Sequence, residues 1–195
     1  YDEISHDCAR IKANMTILVD RAGMVGKNGD THQGIYDVAY LKSIPNCVIT
    51  MPSSKAIGKA LYRQSLGEHG VFAIRFPREY RSEGPKEREI LELAKKRFLD
   101  LEVIDPVYLY PMQRDNLLPL AKYKTIIIYD AYGTREGFAD AVLAELGGIG
   151  YRGKIHVRAI PNTFVMTGTS EEQLSEFGLL PEQIIDLATS ILEKK

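Results

Sequence analysis

The chain has 195 residues, of which 45% are hydrophobic and 26% charged, and its formal net charge is −1. This size and balance allow a substantial buried core and exclude a general attraction for nucleic acid or anionic membrane surfaces. The two cysteines, Cys8 and Cys47, stand in apolar surroundings, so core thiols in a reducing compartment are expected rather than a disulfide framework.

The opening Tyr1-Asp2-Glu3-Ile4-Ser5-His6-Asp7 is neither a basic nor an apolar signal, and no apolar run reaches the length of a membrane span. The chain begins without methionine, in a helical stretch, so we expect a piece of a larger soluble intracellular protein. Met15 to Val19 is short and β-branched, as a buried strand requires. A loop, Asp20 to Gly34, follows it directly, with glycine at 23, 26, 29 and 34 and with Arg21 and His32 among them. A loop at the carboxyl end of a strand faces the crevice where open α/β sheets bind ligands. Its glycines permit positive φ and close approach of a ligand; arginine offers a fork for phosphate or carboxylate, and histidine a proton-exchanging group. The G-x-x-G-x-x-G spacing departs from both standard nucleotide fingerprints, so spacing alone leaves two readings open, a ligand loop and an ordinary turn.

Downstream, Ile35 to Ile44 shows helical spacing, Cys47 to Met51 reads as a strand, Pro52-Ser53 precedes a helix over Ser53 to Leu66, and Val71 to Phe76 is again strand-like. The charged stretch Arg78 to Arg88, with Gly84 and Pro85, reads as a linker and puts a domain boundary near residue 80. Beyond it we expect strands at Leu101 to Ile104, Thr125 to Tyr129 and Lys154 to Ala159. Helices are expected at Lys86 to Phe98, at Arg135 to Leu146 with Thr134 as cap, and at Pro181 to Leu192. The alternation implies a parallel α/β architecture. His6, His69 and His156 read as structural or solvated residues, Arg75 as one member of a structural ion pair, and the start of the Arg135 helix as an ordinary capped end.

The run Asp20 to Asp37, with Tyr40-Leu41-Lys42-Ser43-Ile44-Pro45-Asn46 and Pro52-Ser53, resembles the acceptor-binding part of the 1-deoxyxylulose-5-phosphate synthases, thiamine-diphosphate enzymes of the transketolase superfamily. Ala73-Ile74-Arg75-Phe76-Pro77-Arg78 and Ile160-Pro161-Asn162-Thr163-Phe164-Val165, running on through Gly168 to Phe177-Gly178-Leu179, agree in order; the match is weakest from about Glu79 to Gly137. The resemblance implies the later part of a parallel-sheet pyrimidine-binding domain over 1–80 and a transketolase-type C-terminal α/β domain over 81–195. It implies thiamine diphosphate and Mg2+ as cofactors, pyruvate and glyceraldehyde 3-phosphate as substrates, isoprenoid and thiamine biosynthesis as the setting, a homodimer, and a bacterial cytoplasmic or plastid stromal location. By the same resemblance Arg21 and Arg78 hold the acceptor phosphate, and His32 acts beside the reacting carbon.

Three departures qualify these expectations. Asn28 stands where the family usually has an aspartate that contacts the acceptor hydroxyls. The connection after Arg78 is short by one strand, so either the linker is shortened or residues are omitted. The glutamate that activates the cofactor, and the domain holding its metal and diphosphate, would precede Tyr1, so this chain alone is expected to be inert. Another enzyme of the superfamily, or a non-catalytic paralogue that kept the fold, remain as alternative readings.

Overall fold

A computed structural model describes residues 1–78 and 86–193, the Glu87 side chain aside. The expected boundary near residue 80 therefore lies outside the described residues. A π-helical turn over Ile4–Ala9 leads into β1 (Asn14–Val19), then the loop, a short α1 (Asp37–Leu41), β2 (Cys47–Thr50), α2 (Lys55–Ser65) and β3 (Gly70–Arg75). β3 lies between β1 and β2, parallel to both, and all six of its positions are buried. A central parallel strand covered on both faces needs such an unbroken apolar run. Ser54 starts α2 by accepting the Ile57 N–H at 3.2 Å, a capping bond that satisfies one orphan donor of the first turn.

After the linker, α3 (Lys86–Lys96) is followed by β4 (Tyr108–Tyr110), α4 (Arg114–Leu117) and a 3-10 turn, then β5 (Thr125–Thr134), α5 (Phe138–Gly148), β6 (Lys154–Ile160), α6 (Ser170–Glu176) and α7 (Pro181–Glu193). β5 and β6 form a separate parallel pair joined by α5, and with α6 and α7 they make up a second unit beside the first, the four-stranded sheet. β4 instead returns to the first sheet and pairs antiparallel with β2. Its Tyr108 ring meets Phe72 edge to face, with centroids 6.5 Å apart.

The parallel α/β class is as expected, with three corrections of detail. Leu101 to Ile104 is not a strand: Leu101 and Val103 pack onto the Ile90, Ala94, Ile184 and Ile185 cluster between α3 and α7, so their alternation serves side-chain burial without backbone pairing. The edge strand forms a few residues later, as β4. Thr134 does not cap α5; it ends β5, its N–H bonded to the Ile35 carbonyl at 2.9 Å, and the cap position is Gly137. The helix expected over Ile35 to Ile44 shrinks to α1, because Ile35 is fully buried in a cluster with Ala131, Ile160 and Leu179 of the second unit. Cys47 is buried as expected, and burial pushes its thiol up to about 11, whereas Cys8 is half-buried.

Candidate functional site

The loop is closed by reciprocal backbone bonds: Gly23 N–H donates to the Gly34 carbonyl at 2.7 Å, and Gly34 N–H to the Gly23 carbonyl at 2.9 Å. A Cβ at Gly34 would overlap the Arg21 carbonyl oxygen, so only glycine allows this approach. Gly34→Ala is expected to destabilise the fold by about 2 kcal/mol through overpacking against backbone, measured by urea unfolding; a change within about 0.5 kcal/mol, the ordinary surface range, would contradict the geometry.

Arg21 and Arg78 stand beyond the carboxyl ends of neighbouring parallel strands. Val19 is in register with Arg75, Phe76 N–H donates to the Val19 carbonyl at 2.9 Å, and Ala22 N–H donates to the Phe76 carbonyl at 2.9 Å. These bonds carry the β1 to β3 pairing past the strand ends and bring both arginines to one edge of the sheet. The Arg21 backbone has φ +59°, a left-handed conformation that costs a non-glycine residue free energy and is concentrated at functional positions. Its side chain is 49% exposed and lies 3.6 Å from the Asp20 carboxylate; Arg78 is exposed. His32 is exposed too, with its Nδ1 3.1 Å from the Thr31 hydroxyl. Asn28 is half-buried and donates its backbone N–H to the Gly26 carbonyl at 2.8 Å.

A cleft of about 940 Å³ opens between the two units. Arg78, the Ser54-capped start of α2, loop residues Met24 and Val25, and Asp130 within β5 line it; Arg21, Asn28 and His32 are not among its lining residues. Under the loop lies a buried ion pair. Arg75, fully buried, donates from Nε to Asp37 Oδ2 at 2.6 Å and from Nη2 to Asp37 Oδ1 at 2.9 Å, and Nη2 also reaches the Tyr132 carbonyl at 2.9 Å and the Gly34 carbonyl at 3.3 Å. Arg75 is thus the structural ion-pair residue expected, and it ties the first sheet, the loop and β5 at one point.

Asp130 sits beside this cluster. Its Oδ1 accepts the Tyr132 N–H at 2.9 Å, its Oδ2 has no hydrogen-bond partner, and burial raises its pKa above the ordinary carboxylate value, with Arg75 opposing. A carboxyl with a raised folded-state pKa gives stability that is present at low pH and lost as pH climbs through the folded value. Asp130→Asn keeps an acceptor for Tyr132 and removes that loss. The variant is expected to be at least as stable as the parent at neutral pH, with a flatter stability profile above about pH 4. Urea midpoints across pH would show it, and a steeper profile would count against it.

Sequence reasoning missed the groups that hold the loop from within and below. Gln33 accepts the Val25 N–H at 2.8 Å and donates to the Gly29 carbonyl at 3.0 Å. α6 was missed altogether, although Thr169-Ser170-Glu171-Glu172 has the spacing of a capping box; here Thr169 Oγ1 accepts the Glu172 N–H at 3.1 Å and Glu172 Oε2 accepts the Thr169 N–H at 2.8 Å.

Residues 1–81 match the family described as the transketolase, pyrimidine binding domain. The whole chain aligns with 1-deoxy-D-xylulose-5-phosphate synthases, at 28% identity in Lysinibacillus sphaericus and 30% in Geobacillus sp., each covering 100% of this chain and 36% of the relative. Residues 1–81 thus carry a transketolase-type pyrimidine-binding domain, and the likeness to these synthases runs along the whole chain. A third such synthase, from Thermus thermophilus, is 29% identical over 94% of this chain and 34% of its own length. The chain therefore spans about a third of the length of the curated relatives it matches. The alignments to the first two run over 230 residues against the 195 here, so those relatives carry extra residues inside the aligned stretch. Among solved structures, a "split gene transketolase, inactive beta4 tetramer" superposes with a TM-score of 0.81 at 17% identity, covering 97% of this chain and 70% of that one. That likeness establishes the transketolase-type fold.

Proposed function

We propose that the chain forms the acceptor-binding part of a thiamine-diphosphate enzyme that condenses pyruvate with glyceraldehyde 3-phosphate, giving 1-deoxy-D-xylulose 5-phosphate and CO2. The observation that carries this is the tie between the ends of β1 and β3, which brings Arg21 and Arg78 to one edge of the sheet beside the loop bearing His32. Two guanidinium forks share a phosphate dianion well, through charge-assisted and bidentate bonds. His32, exposed on the same loop, would then meet the oxygens of the acceptor, where an imidazole assists proton transfer as the new carbon–carbon bond forms.

The described residues do not fit the metal and diphosphate half of such a site. No group of three or more His, Cys, Asp or Glu side chains able to hold a metal ion occurs among them, and divalent cations of this kind are held by oxygen ligands. In this reading that half is supplied by residues other than the described ones. The two-domain division at about residue 80, a homodimeric assembly and a cytoplasmic setting belong to the same proposal; no helix among the described residues is long and apolar enough to cross a membrane.

The decisive experiment is turnover by the holoprotein carrying this chain. Pyruvate-dependent consumption of glyceraldehyde 3-phosphate with stoichiometric CO2 release is expected, and no product under saturating cofactor would refute the reading. Asn28 favours a second reading, a paralogue with altered or lost acceptor use, because an amide carries no charge and cannot take a proton. Asn28→Asp is expected to lower the KM for the acceptor several-fold, as a charge-assisted bond replaces a neutral one. An unchanged KM would mean that this position does not touch the acceptor.

A further inference from the structure

The candidate acceptor loop does not rest on its own unit alone. Gln173 on α6 is 3% exposed; its Nε2 donates to the Met166 carbonyl at 2.8 Å and to the Gly26 carbonyl at 3.4 Å. Gln33 donates to the same Gly26 oxygen at 3.3 Å, and the Asn28 backbone N–H reaches it at 2.8 Å. One carbonyl with two lone pairs thus collects three donors, one of them from the second unit. Ser170, also on α6, donates its hydroxyl to the Met24 carbonyl at 3.3 Å. Gly26 has φ +72°, and a Cβ there would lie 3.5 Å from the Gly168 carbonyl and from Ser170 Oγ. Met24 packs into the same apolar cluster as Val165 and Leu174.

We propose that Gln173, seconded by Ser170, is a positioning residue for the acceptor. Helix α6 fixes the Gly26 peptide, and through it the direction in which Asn28 and His32 leave the loop. A glycine-rich segment otherwise samples many backbone states, and that ordering cost would fall on acceptor binding. The Gln173 amide is oriented by its two carbonyl acceptors, since its own Oε1 has no partner. The brace acts on the loop and not on the donor substrate or the cofactor, so its loss raises the acceptor KM selectively. This inference deepens the function proposed above and rests on it.

The test compares Gln173→Met, similar in volume but without donors, and Ser170→Ala with the parent holoprotein. Expected for Gln173→Met is a roughly ten-fold rise in KM for glyceraldehyde 3-phosphate, with pyruvate KM and kcat within about two-fold, and a smaller acceptor-selective rise for Ser170→Ala. Amide hydrogen exchange should quicken across residues 24–29 and not across β3. Parallel rises in both KM values, or an unchanged acceptor KM in both variants, would overturn the proposal. If Gln173→Met does not fold, the direction of the Ser170→Ala effect decides. If the parent itself fails to condense the two substrates, the function falls separately. The exchange data then still judge the brace: quickening confined to 24–29 upholds it, and an unaltered loop overturns it.

Discussion

Replacing Arg75 by methionine is expected to destabilise the protein by about 3–5 kcal/mol. The guanidinium is fully buried and the Asp37 carboxylate only 8% exposed, with contacts of 2.6 and 2.9 Å. Removing the cation strands a desolvated carboxylate and also takes one donor from each of the Tyr132 and Gly34 carbonyls. The pair's net worth is a separate matter: Arg75→Met with Asp37→Leu removes both charges and is expected to recover most of the loss. Urea unfolding of the two single variants and the double variant closes the cycle. Because Arg75 ties β3 to the loop and to β5, the single variants should also lose the coincidence of unfolding seen by probes in the two units. A cost below about 1 kcal/mol, the range of exposed pairs, would mean that the guanidinium is hydrated in solution.

Replacement of Arg21 or Arg78 by methionine is expected to raise the KM for glyceraldehyde 3-phosphate about 10- to 100-fold, the loss of one or more hydrogen bonds to a charged group. Pyruvate KM should move little. Both side chains reach solvent, so stability should change by less than about 0.5 kcal/mol, which separates a binding role from a structural one. Lysine should rescue only in part, since an ammonium cannot reproduce a bidentate fork. Steady-state kinetics with each substrate varied in turn decide the matter, and an equal loss toward both would remove these arginines from the acceptor site.

Much of the fold was legible because burial on both faces leaves continuous apolar runs. Val71 to Phe76 announces β3 directly, whereas Met15 to Val19 forms β1 as expected but at the sheet edge, with no position fully buried and Leu18 57% exposed. The same logic misled at Leu101 to Ile104, where alternating apolar residues find their burial against helices. β4 is three residues long and pairs because the chain passes β2, a matter of tertiary geometry that no local pattern records. Thr134 looked like a cap because its residue type favours one, yet a backbone bond to Ile35 keeps it extended. At the candidate site, the proposed roles of Arg21, Arg78, Asn28 and His32 come from motif resemblance. Gln33 and Gln173 were not legible in the sequence, because an amide that braces a carbonyl carries no charge pattern, and the bond from Gln173 to Gly26 spans 147 positions of sequence.

The return of β4 to the first sheet has a consequence for modularity. Its pairing with β2 through Ile49 and Tyr110, extended by the Met51 N–H to the Val107 carbonyl at 2.8 Å, covers a ladder of backbone donors and acceptors that would otherwise face water. Chain that lies beyond the linker in sequence is thus a shield for the sheet before it. Cutting the gene at the linker would release the first unit with a bare parallel edge, the kind of surface on which strands of other molecules assemble.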